Sequence, residues 1–245
     1  MHRFYADPML SDERRFFLNA DDTVHAVKVL RMQQGDRAEI ISGGQRFLAA
    51  VESTAGDRTE FLPVSLLPST EPAVSFTLFQ GLPKGDKMDW IAQKATELGA
   101  AGVYPVYTDN CALNKSVIDK KITKWQRTMY EASKQCERAN IPVCYELNTI
   151  DTLLKTRNFD FVFAFCERNA DMTFREFYNL NKSMFSKGND ILVIIGPEGG
   201  FSKTEFEYFA QHSIPMLTLG DLILKAETAV IVAIGNIIYE YNYSK

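Results

Sequence analysis

The 245-residue chain has only four cysteines and three histidines. Cys111, Cys136, Cys144 and Cys166 show no CxxC spacing, and His2, His25 and His212 are scattered. That pattern argues against a zinc site or a disulfide framework, and no metal is expected. Buried free thiols in a reducing compartment are the better reading. No apolar run approaches the roughly 18 residues that span a bilayer. The opening MHRFYADPML is too polar for a secretory signal, so the expected location is cytoplasmic, with no membrane partner. The two common phosphate-binding signatures, GxxxxGK[ST] and GxGxxG, are also missing.

Positive charge is in short supply as well. The net charge of −4 argues weakly against a nucleic-acid partner. A local count softens this. Between Asn114 and Arg138, seven basic residues (Lys115, Lys120, Lys121, Lys124, Arg127, Lys134, Arg138) face three acidic ones. Such a stripe either tracks phosphates or is a solvated helix face.

What is present falls into two halves with different rhythm. Residues 1–70 read as short strands. RAEIISGG turns at Gly43-Gly44 into FLAAVES, a hairpin pattern, and FLPVSLLP is a further β-rich stretch. Ahead of them, DDTVHAVKVLRMQQGD has apolar residues at helical spacing, with Gly35 as the predicted stop. A small β-barrel with one helix fits this half. PSTEPA (68–73) is the predicted linker, because two prolines interrupt both patterns.

From residue 74 to 245, strands alternate with helices. VSFTLFQG is followed by a helix over GDKMDWIAQKATELG, with Met88, Ile91, Ala92, Ala95 and Leu98 on one face. GVYPVY precedes a long helix over about 116–138. VCYELN, FDFVFAF, ILVIIG and MLTLG are further strands, and AETAVIVAIGNIIYEY is a strongly apolar helix. Continuously apolar strands separated by helices predict an α/β parallel sheet covered on both faces. Ligands of such sheets sit beyond the carboxyl ends of the strands, which directs attention to the residues after FAF, VIIG and LTLG.

The segment GPEGGFSKTE contains a capping box, Ser202 with Glu205, so the following helix can begin without an anion at its end. Gly196, Gly199 and Gly200 permit close backbone approach, and Pro197 stiffens the bend. Glu198 would repel a phosphate, which favours a ligand held by backbone groups, such as a nucleoside. A turn needed only for packing stays open as the alternative. The second loop, LGDLILKAET, places Leu222, Ile223 and Leu224 outside any strand, an oddity unless they are buried. Together the two loops could form a flat slot for an adenine ring.

GDKMDWIAQKATELG, QCER, IGPEGGFSKTE and LGDLILKAETA, in this order, resemble the RsmE family of small-subunit ribosomal RNA uridine N3-methyltransferases. The resemblance extends over essentially the whole chain, with VLRMQQGD matching the family's PUA-like RNA-binding barrel. It implies a SPOUT-type methyltransferase domain with a C-terminal trefoil knot, a homodimer, S-adenosyl-L-methionine (SAM) as cofactor, and 16S ribosomal RNA or the small subunit as substrate. The cofactor residues carried over are Ile195, Gly196, Pro197, Glu198 and Gly199 in one loop and Leu219, Gly220, Ile223 and Leu224 in the other. Cys166 and Glu167 would form a third wall.

For the transfer itself the candidates are Arg138 and Lys225, as cations near the uracil oxygens or the phosphate, with Glu227 or Glu198 as proton acceptor and Thr228 as a ligand contact. Arg31, Lys84, Lys87 and Lys94 are the candidate RNA contacts. The chain departs from the family at Leu222 and Lys225, where arginines are usual. Lysine at 225 keeps the charge but loses the bidentate fork. This departure keeps two other readings open, a non-catalytic RNA-binding adaptor and a methyltransferase with another target base.

Overall fold

A computed structural model describes all but residues 8–10, 13, 55–57, 73, 112–114, 186–187 and 244–245. The side chains of 115–117, 119, 184 and 242–243 also lie outside the described part, and with them the expected contribution of Lys115 to the basic stripe. Ala73, the last residue of the predicted linker, falls there too. The chain forms two compact units. Met1–Glu71 with Glu137–Ile141 make the first, and Pro72–Cys136 with Pro142–Lys245 the second.

The first unit holds a five-stranded sheet built from β1 (Arg3–Tyr5), β2 (Phe16–Phe17), β3 (Arg37–Ser42), β4 (Gln45–Ser53) and β5 (Glu60–Leu67). Their order across the sheet is β1-β3-β4-β5-β2. β3 and β4 form the expected hairpin, closing at the pair Ser42 and Gln45, and Gly43 and Gly44 both take the positive φ that such a tight turn needs. Pro63 is accommodated in β5 opposite Ala49, beside a register shift.

The helix predicted to run to Gly35 stops early. α1 covers Ala20–Val24, capped by the Asn19 side chain, and passes into a π-helical turn over His25–Val29. Arg31 then adopts φ +54°, and Met32 donates its N–H back to the Ala26 carbonyl, so the chain leaves the helix before the glycine is reached.

Glu39 is the charged centre of this unit. Its side chain is only 4% exposed. It accepts hydrogen bonds from Arg46 Nε at 2.5 Å, Arg46 Nη2 at 3.1 Å and Arg3 Nη2 at 2.8 Å. Burial alone would raise its pKa, but the hydrogen bonds from Arg46 and Arg3 outweigh burial and bring it down to about 2.

The second unit is a seven-stranded sheet in which every pairing is parallel. Its strands are β6 (Ser75–Gly81), β7 (Gly102–Val106), β8 (Val143–Cys144), β9 (Phe161–Phe165), β10 (Met172–Thr173), β11 (Asp190–Ile195) and β12 (Met216–Thr218). They lie in the order β10-β12-β9-β11-β6-β7-β8. The helices are α2 (Lys87–Glu97), α3 (Lys115–Gln135), α4 (Ile150–Thr156), α5 (Phe174–Leu180), α6 (Lys203–Gln211) and α7 (Ala226–Tyr243).

Apolar clusters cover both faces of the sheet. One gathers Phe76, Leu78, Val193 and Ile195 with Ile91 of α2 and Ile234 of α7; the other gathers Phe79, Leu192 and Ile194 with Phe209 of α6. This two-sided burial is why β6 and β11 lack polar alternation. VCYELN contributes a strand of only two residues. The long helix ends at Gln135, and Glu137 turns the chain out of it with φ +65°.

Glu39→Gln leaves two guanidiniums sharing a neutral amide, and should cost the first unit about 3 kcal/mol at pH 7. The folded carboxyl titrates near 2 against an ordinary 4.5, so its contribution is complete above about 4.5 and disappears as pH falls through 2. Denaturant unfolding at pH 7 and pH 3 should therefore show a gap between wild type and variant that narrows at the lower pH.

Candidate functional site

The strands β12, β9, β11 and β6 are adjacent and point the same way, so their carboxyl ends share one edge. A cavity opens there, walled by three loops. Phe165–Glu167 lead out of β9, Ile195–Glu198 out of β11, and Thr218–Gly220 with Leu222–Leu224 out of β12, each beginning on the strand's last residue; Ala226 and Ala229 of α7 close it. Of the sequence-predicted cofactor residues, the structure brings Ile195, Gly196, Pro197, Glu198, Leu219, Gly220, Ile223 and Leu224 together in this one cavity. Gly199 lies outside its lining and instead meets Asn110, whose Nδ2 donates to the carbonyls of Gly199 at 3.0 Å and Gly200 at 3.1 Å.

The first loop is fixed from several sides. Gln80, fully buried at the end of β6, donates from Nε2 to the Gly81 carbonyl at 2.7 Å and to the Gly196 carbonyl at 3.2 Å. A Cβ on Gly81 would lie 2.5 Å from Pro197 Cδ, so only glycine lets the loop pack on that strand end. Gly200 donates its N–H to the Pro197 carbonyl at 2.9 Å, closing the turn. Ser202 then begins α6 through the expected capping box, with Glu205 N–H to Ser202 Oγ at 3.1 Å and Ser202 N–H to Glu205 Oε2 at 2.8 Å.

In the second loop Gly220 has φ +127° and donates its N–H to Thr218 Oγ1 at 3.0 Å. The expectation that Leu222 and Ile223 are buried does not hold. They are 79% and 68% exposed, because they stand on the open side of the cavity rather than beneath it.

The electrostatics are one-sided. Glu167 and Glu198 line the cavity, and no lysine, arginine or histidine does among the described residues. Burial would raise Glu198, yet a hydrogen bond from Lys87 and one from the Lys84 N–H hold its carboxyl below the ordinary value. Cys166 is buried in the wall, and burial pushes its thiol up to about 12, which removes it as a nucleophile at neutral pH.

Lys225 and Thr228 are exposed beside the second loop and at the start of α7, and Glu227 sits in the first turn of that helix. Arg138 belongs to the first unit, is 6% exposed, and its guanidinium donates to Glu71 at 2.8 and 3.2 Å. The sequence could not reveal this, because Glu71 lies 67 residues away. Among the candidate RNA lysines, Lys87 is held by Glu198 and Glu227, and Lys94 by Glu97 at 2.8 Å. Lys84 and Arg31 are exposed. Sequence reasoning missed Gln80, Gly81 and Asn110; the only hint was a buried-strand pattern ending on Gln-Gly.

Residues 70–238 match the model of the RNA methyltransferase domain, and residues 18–60 match that of the RNA methyltransferase PUA domain. The chain is 30% identical to the ribosomal RNA small subunit methyltransferase E of Rickettsia conorii, covering 96% of this chain and 94% of that protein. It is 27% identical to the protein of the same name from Bacillus subtilis, over 98% and 97% of the two chains. A Legionella pneumophila protein solved in complex with SAM superposes with a TM-score of 0.76 at 27% identity, covering 96% of each chain. The chain therefore belongs to the RNA methyltransferase family, as a member of the group of ribosomal RNA small subunit methyltransferase E.

Proposed function

We propose that the chain is a SAM-dependent methyltransferase acting on N3 of a uridine in 16S ribosomal RNA. The observation that carries the reading is the cavity itself, a slot of glycine-rich backbone and apolar side chains with two carboxylates and no cation on its described walls. A phosphorylated nucleotide would find no cation on these walls, whereas a nucleoside bearing a sulfonium would meet the Glu167 carboxylate, Glu198 being paired with Lys87. Backbone N–H and C=O groups of Ile195–Glu198 and Leu219–Leu224 would hold the adenosine.

SAM, when bound, supplies an electrophilic methyl group. The chain's own residues then have to orient the uracil and favour loss of its N3 proton. Lys225 offers an ammonium where negative charge develops on the uracil oxygens. Glu227 is the proposed proton acceptor, and Thr228 a contact to the ligand. Glu198 is a poor acceptor, because Lys87 and the Lys84 N–H already occupy its carboxylate. Fixing both partners in line contributes as much as any single group.

Arg31 and Lys84 are the proposed phosphate contacts, supported by their exposure. A homodimer is supported by the exposed Leu222 and Ile223 beside the pocket, since such side chains prefer a covered position. A C-terminal trefoil knot and a cytoplasmic location complete the reading. No helix among the described residues is long and apolar enough to cross a membrane.

Nucleoside mass spectrometry of 16S ribosomal RNA tests the activity. Cells lacking this protein should lose 3-methyluridine from that RNA, and an undiminished amount would refute the assignment. At the residue level, Lys225→Ala should lower kcat by about 10²-fold while calorimetry finds SAM affinity nearly unchanged. An equal loss in both would place Lys225 in cofactor binding instead.

A further inference from the structure

Lys87, at the first position of α2, reads from sequence as one of several basic residues facing RNA. Its ammonium is in fact engaged within the protein, 2.6 Å from Glu198 Oε1 and 3.5 Å from Glu227 Oε2. The two acids come from different parts of the site. Glu198 ends the cavity-lining stretch after β11, and Glu227 sits in the first turn of α7, immediately after the second loop. Among the described residues Glu227 Oε2 is buried without a hydrogen bond, and the lysine is the charge it faces. The Lys84 N–H adds hydrogen bonds to Glu198 at 3.1 and 3.2 Å, so residues 84–87 grip the first loop through its carboxylate.

We propose that Lys87 is a positioning residue of the cofactor pocket, joining the first loop to the base of the second through one ammonium shared by Glu198 and Glu227. The inference rests on the methyl-donor reading of the pocket. Two carboxylates approaching a common point repel each other, and the cation between them turns that repulsion into attraction. Without it, the loop bearing Glu198 and the start of α7 would move apart, and the slot between them would widen. Lysine suits the position because its three donors can serve two acceptors from different segments. Arginine would keep the charge with a different geometry.

SAM calorimetry, paired with fluorescence anisotropy on a 16S ribosomal RNA fragment, separates this role from an RNA contact. Lys87→Met should weaken SAM binding about tenfold, and Lys87→Arg should recover most of it. Neither change should alter RNA affinity by more than about twofold. The double variant Lys87→Met with Glu198→Gln should lose less than the sum of the single losses, because removing one carboxylate also removes the repulsion. Thermal unfolding of each variant confirms that the fold persists. Unchanged SAM affinity in Lys87→Met, or strictly additive losses in the double variant, would overturn the inference. Failure of the wild type to bind SAM would instead overturn the proposed function on which it rests.

Discussion

All seven strands of the second unit's sheet run in parallel, and that shared polarity decides where a site can form. It places the carboxyl ends of β9, β11 and β12 side by side, although their loops begin near residues 166, 196 and 219. Strand ends leave backbone groups unpaired by the sheet, and a ligand can satisfy them. Every further feature of the pocket refines this arrangement. Gly81 lets Pro197 rest on the end of β6, the Gln80 amide ties that end to Gly196, and the Pro197–Gly200 turn returns the chain to α6.

Charge adds the second layer. Lysines near the site are abundant in sequence, but two of them, Lys87 and Lys94, are spent on carboxylates of the same unit. The cavity lining itself is apolar with two carboxylates, one of which, Glu198, is offset by Lys87 from outside the lining. A protein that must handle both a cationic methyl donor and a polyanionic RNA gains from keeping these surfaces apart, with acids inside the slot and cations on exposed positions such as Lys225 and Lys84.

Much of this was legible from the sequence, for identifiable reasons. Short apolar runs rich in β-branched and aromatic residues fit strands buried on both faces, so β6, β9 and β11 were readable. Ser202 and Glu205 interact over three residues, and the Gly43-Gly44 hairpin is equally local. What escaped depends on distant partners. The pairing of Arg138 with Glu71 and of Lys87 with Glu198 spans 67 and 111 residues, which no local pattern reports. The early exit at Arg31 was hidden because the apolar spacing of this stretch reads as one helix, and no local signal announces the π-helical turn or the positive φ that end it. Leu222 and Ile223 misled because apolar character signals burial, yet they stand at the mouth of a cavity.

The central claim is that two strand-end loops hold adenosine through their backbone. A crystal structure of the protein soaked with SAM tests it most directly. The account predicts density for the purine between Ile195–Glu198 and Leu219–Leu224, its edge hydrogen-bonded to main-chain groups of those segments. Density at another part of the molecule, or a purine held in this slot by side chains alone, would contradict it.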